Sequence, residues 1–143
     1  MIEMISGVIT SIVIIILSRI LSKYLSTAYL TSTLLISIAF IYVGFALKDN
    51  PVSSIVLEVF VALIFYSIAI FGYAQNNYFI AYGIILHGVW DIFHHRALIT
   101  TDLPGYWPSF CIVVDVIDGI YFWFVFRKEK NAKLNAPENV KAL

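Results

Sequence analysis

Apolar residues arrive in five long runs: Ile2 to Leu21, Thr27 to Leu47, Val52 to Ala74, Tyr78 to His95 and Pro108 to Phe126. Each approaches or exceeds the roughly 20 residues that a helix needs to cross a bilayer, where no solvent satisfies an open backbone. The pattern therefore predicts an all-α integral membrane bundle of five transmembrane helices, residues 1–126, followed by a polar cytoplasmic tail, 127–143. The breaks have mechanisms. Pro51 and Pro108 can each open a helix, because the missing N–H is unpaired there anyway, Asn76-Asn77 suits a turn, and Pro104-Gly105 interrupts the longest connection. Ser11, Ser18 and Ser22 in the first span, and Gly83, Gly88 and Gly119 in the fourth and fifth, are read as packing positions where helices approach closely.

Composition agrees. Of 143 residues, 61% are apolar and 13% charged, against about 45–50% and 25% in soluble domains. With a mean hydropathy of +0.90, this excludes a nucleic-acid binder, a disordered chain and a secreted disulfide scaffold. The single cysteine, Cys111, reads as a small buried hydrophobe. Met1-Ile2-Glu3 lacks the basic start of a signal peptide, so the first run is expected to be a retained span. Nine basic and nine acidic residues cancel, but their placement is informative. With the N-terminus outside and the C-terminus cytoplasmic, Arg19, Lys23, Arg127, Lys128, Lys130, Lys133 and Lys141 lie inside, and only Lys48 and Arg96 lie outside, as the positive-inside rule favours. The expected location is the cell membrane, with Tyr106 and Trp107 at the outer boundary and Tyr24 and Trp123 at the inner one.

Seven acids and imidazoles interrupt the last three spans: Glu58, His87, Asp91, His94, His95, Asp115 and Asp118. An aspartate near a helix centre costs about 2.5–3.5 kcal/mol on insertion, so four unpaired carboxylates would cost on the order of 10 kcal/mol. At about 1.5 Å per residue, Glu58 lies roughly 9 Å below Val52, Asp115 about 10 Å below Pro108, Asp118 about 15 Å below it, and His87 about 12 Å below His95. All seven thus share the outer half of the bilayer. Around the fourth helix, His87, Asp91, His94 and His95 fall within a wedge of roughly 100°, and Asp115 and Asp118 share a face of the fifth.

Imidazole and carboxylate four residues apart, joined by carboxylates from facing helices, are the donors of bundle sites for zinc, iron or manganese. The expected ligands of such a divalent transition metal are His87, Asp91 and His95, with Asp115, Asp118 or Glu58 completing one or two sites, and with His94 ligating in place of His95 or orienting a ligand. The competing reading of each residue alone is a hydrogen bond between helices or a helix-end contact. Haem is disfavoured, since all three histidines lie within nine residues of one helix. G-x-S-x-G, H-E-x-x-H, Gly-rich phosphate-loop and paired-cysteine motifs are absent from the sequence. The expected function is a hydrolase or oxidoreductase acting on a lipid or apolar substrate, with Asp118 or Asp91 as base and the Arg96–Trp107 loop over the entrance. The alternatives are a non-catalytic subunit associated with other membrane proteins, or an ion or proton conduit, for which the inner half lacks matching polar groups.

His87-x2-Trp90-Asp91-x2-His94-His95, followed by Trp107-Pro108-x-Phe110-Cys111-x3-Asp115, resembles a pattern in a group of small uncharacterised prokaryotic multi-pass membrane proteins. The resemblance covers roughly the fourth and fifth helices. It implies that these polar residues belong together and implies no activity.

Overall fold

A computed structural model of the chain describes residues 1–48, 50–99 and 101–135; Lys141 and the end of the tail lie outside them. Five helices follow in order: α1 Ile2–Leu21, α2 Thr27–Ala46, α3 Val52–Gln75, α4 Tyr78–His95 and α5 Trp107–Leu134. Local chemistry sets their ends. The Ser26 hydroxyl accepts the Tyr29 N–H at 3.2 Å at the start of α2, Pro51 caps α3, and Asn76 Oδ1 accepts the Tyr78 N–H at 3.2 Å where α4 begins. α5 starts one residue before Pro108, which sits in its first turn, where proline is tolerated. It also continues through Arg127–Leu134, past the end of the apolar run at Phe126 and into the polar tail. Lys, Arg, Glu, Ala and Leu are good helix formers, so the helix propagates past the apolar run without needing lipid around it.

α1, α2, α3 and α5 are each long and apolar enough to cross a membrane. α4 is not among these four, because His87, Asp91, His94 and His95 lower its hydropathy; its 18 residues nevertheless span about 27 Å. Its cost is reduced by position. α4 packs against α2, α3 and α5, turning His87, Asp91 and His94 away from the surroundings.

The core is built from Leu35 and Ala39 of α2, Ala62, Phe65 and Ala69 of α3, Ile80, Ala81 and Ile84 of α4, and Phe122 and Phe126 of α5. Small residues let the backbones approach, as apolar helix pairs in lipid require. A Cβ on Gly119 would stand 2.5 Å from Ile85 Cγ1, and one on Gly83 2.6 Å from Leu35 Cδ2. α1 is a flank, docked mainly on α5: Gly7 lies under Phe110 and Val113, and buried Ser11 donates to the Val114 carbonyl at 3.5 Å. Ser22, by contrast, is exposed and donates to the Arg19 carbonyl of its own helix end at 2.8 Å. Ile5, Ile9, Ile12 and Ile16 of α1 remain exposed, the surface a lipid phase would cover.

The two ends of the bundle are tied differently. At one end Asn50, between α2 and α3, accepts the Asp102 N–H at 2.7 Å, joining that connection to the α4–α5 loop. At the other, Arg19 Nε donates to Tyr121 at 3.0 Å, and Thr27 donates to Glu129 at 2.7 Å.

Candidate metal centre

The α4 face at positions 87, 91 and 94 follows the i, i+4, i+7 stripe that a helix buries. His87 Nδ1 lies 2.7 Å from Asp115 Oδ2 and 3.7 Å from Asp91 Oδ2. α5 comes this near because position 88 is glycine: a Cβ there would be 3.2 Å from Asp115 Cβ. His87, Asp91 and Asp115 are all buried, and one donor atom from each lies within 4.8 Å of the others.

The 2.7 Å contact is a hydrogen-bond distance, and the spacing of the three donors is close to a metal geometry. Tetrahedral donors about 2.0–2.1 Å from a cation are about 3.3 Å apart. Loading a cation would open the His87–Asp115 contact by roughly half an ångström and draw Asp91 in by a similar amount. Two carboxylates and a neutral imidazole carry two negative charges, which one divalent cation cancels. That balance matters among the walls of the site: Phe65 and Tyr42 approach the His87 ring edge-on, with centroids 5.1 and 5.5 Å away, and unpaired charge is costly beside such groups.

Tyr42, on α2, donates its hydroxyl to Asp91 Oδ1. This leaves Oδ2, which has no hydrogen-bond partner among the described residues, as the oxygen nearer His87. Sequence reasoning missed Tyr42. Its register with buried Leu35, Ala39 and Ala46 is a signal that could have found it, as the one phenolic hydroxyl on that buried stripe.

Glu58 and His94 form a second, adjoining pair rather than joining the triad. Glu58 Oε1 lies 3.2 Å from His94 Nε2 and accepts the Thr101 hydroxyl at 2.7 Å, while Oε2 accepts Trp90 Nε1–H at 3.4 Å. The His94 ring sits between Tyr42, at 4.7 Å, and Trp90, at 5.5 Å, so Tyr42 touches both clusters. Thr101 was also unforeseen, since a loop threonine leaves no periodic trace, and Trp90 stood in the sequence motif without a role. His95 is not brought to either cluster. One residue beyond His94 is a turn of about 100°, which leaves His95 exposed with Nδ1 3.2 Å from Ser109 Oγ. Asp118 is fully buried one turn along α5 from Asp115, and neither carboxylate oxygen has a hydrogen-bond partner among the described residues.

A family model described as a family of unknown function (DUF6010) matches residues 2–128. The chain belongs to the DUF6010 family. The matched stretch includes Tyr42, Glu58, both buried histidines and all three aspartates of this DUF6010 site. No curated protein and no solved structure matches the chain.

Proposed function

We propose that the protein is a membrane-embedded metalloenzyme in which His87, Asp91 and Asp115 hold one divalent transition metal, zinc, iron or manganese. The convergence of these three buried donors from two helices carries the reading. A cation in such a place supplies Lewis acidity, or redox chemistry if it is iron or manganese. The chain's contribution is to fix the donors, exclude bulk water and provide a base. Asp118 suits that last role, being buried one turn along α5 from Asp115 while Asp91 serves as ligand. A spare proton acceptor favours hydrolysis over oxidation, and the apolar surroundings favour a lipid or similar substrate. We further place the N-terminus and the metal end on the outer side, leaving Arg19, Lys23 and the basic end of α5 in the cytoplasm.

The test is a cobalt titration of the purified full chain, read by visible absorption. The wild type is expected to bind one equivalent, and His87→Ala, Asp91→Ala and Asp115→Ala to bind at least tenfold more weakly. Asp118→Asn should keep the metal and lose turnover. Equal cobalt binding by all four proteins would overturn the assignment. A second reading, a non-catalytic subunit of a larger assembly, is favoured by the near-complete burial of the triad. A native mass above that of the monomer, with metal bound and Asp118 dispensable, would select it.

A further inference from the structure

At the end of the bundle away from the triad, the inward stripe of α5 changes chemistry. Phe122 and Phe126 are buried, and the same face continues as Glu129, Lys130 and Lys133, at i+3, i+4 and i+7 from Phe126. These residues lean over the α3–α4 turn and close a cavity of about 410 Å³ with Gln75, Asn77 and Tyr78. Its charge is not balanced from within. Glu129 Oε1 accepts the Thr27 hydroxyl at 2.7 Å, and among the described residues neither lysine has an ion-pair partner. Lys130 Nζ stands 5.6 Å from the centroid of the Tyr78 ring, a cation–π contact that holds the ammonium at the rim of the cavity.

The level of the cavity along the bundle points to the occupant. Trp123, whose Nε1–H donates to Tyr82 at 3.3 Å, and Tyr78 are amphipathic rings of the kind that sit at a membrane interface, and Phe126 supplies an apolar wall. Two ammonium groups and three primary amides, from Gln75, Asn76 and Asn77, stand above an apolar wall; with Glu129 turned to the Thr27 hydroxyl, the lining keeps a net positive charge and fits a phosphodiester attached to an acylglycerol.

We infer that this cavity binds the phosphate headgroup of an anionic lipid, through Lys130 and Lys133, in the leaflet opposite the metal centre. The inference is independent of the metal. Arg127 and Lys128 are the internal control: they belong to the same basic tract but do not line the cavity, and Arg127 lies over Trp123 instead, 5.5 Å from its centroid.

Native mass spectrometry of the detergent-solubilised full chain, titrated with phosphatidylglycerol or phosphatidylcholine, tests it. Phosphatidylglycerol is expected to bind about tenfold or more tightly than phosphatidylcholine, with the preference lost in Lys130→Gln/Lys133→Gln and kept in Arg127→Gln/Lys128→Gln. All four side chains are exposed, so neither double variant threatens the fold. Equal loss in both double variants would mean diffuse attraction to a basic tract and would overturn the site. Full competition by inorganic phosphate or glycerol 3-phosphate at concentrations comparable to the lipid would overturn the lipid assignment in favour of a soluble anion.

Discussion

Tyr42 shows how much one hydroxyl can decide in a site with few polar atoms. Its bond to Asp91 Oδ1 leaves the other oxygen for the proposed cation, and removing a partner of this kind typically weakens metal binding 10–100-fold. Tyr42→Phe is therefore expected to bind cobalt 10–100-fold more weakly, with a shifted visible spectrum as Asp91 becomes free to chelate through both oxygens; an unchanged spectrum and affinity would remove Tyr42 from the site. Ala97 makes a separate point about the end of α4. Its φ of 52° lies in the left-handed region that glycine adopts freely. The paired bonds from Ala97 N to His94 O and from Leu98 N to Phe93 O complete the αL termination usually built on glycine. Ala97→Gly should stabilise the protein by about 1 kcal/mol or less, read as a rise in unfolding temperature with metal binding unchanged.

At the scale of elements, the bundle depends on backbones that approach one another at glycine. Gly119→Ala places a methyl group 2.5 Å from Ile85 Cγ1 and 3.2 Å from the Ala81 carbonyl, and should cost about 1–3 kcal/mol by overpacking. Gly44→Ala, with nothing within 4 Å of the new atom, should be neutral or stabilising by up to about 1 kcal/mol. Thermal unfolding of the two variants side by side checks the contrast, and similar effects would contradict the packing described. Helix positions were legible in the sequence because lipid makes hydropathy and length nearly sufficient: four of the five apolar runs end within one residue of the helices they predict. The overrun of α5 was not legible from hydropathy, since Arg127–Leu134 is polar and its helix follows from propensity and from contacts such as Thr27–Glu129. Of the site, axial level and helix face could be counted from the sequence. That counting puts His87, Asp91, His94 and His95 in one wedge of α4, Asp115 and Asp118 on one face of α5 and Glu58 at their level, but cannot tell His94 from His95 as the inward imidazole. The division into a triad and a Glu58–His94 pair depends on Tyr42 and Thr101, whose roles follow from tertiary packing.

For the whole molecule, the proposal is of two chemically distinct ends separated by an apolar core: a buried anionic cluster on the outer side and a basic, aromatic-lined end inside. Single cysteines test that orientation, since native Cys111 is buried and contributes little background. In intact cells Gly105→Cys should react with an impermeant maleimide, and Lys133→Cys only after permeabilisation; the reverse pattern would invert the topology. A cation that binds the folded bundle alone should also stabilise it, by about 2.7 kcal/mol at a hundred times its dissociation constant. The central claim, that a divalent cation holds the acids and imidazole together, is tested most directly by elemental analysis of the wild-type protein purified in mild detergent without chelators, beside Asp115→Asn. The account predicts close to one transition-metal ion per chain in the wild type and far less in the variant. A metal-free wild type, or equal metal in both, would contradict it.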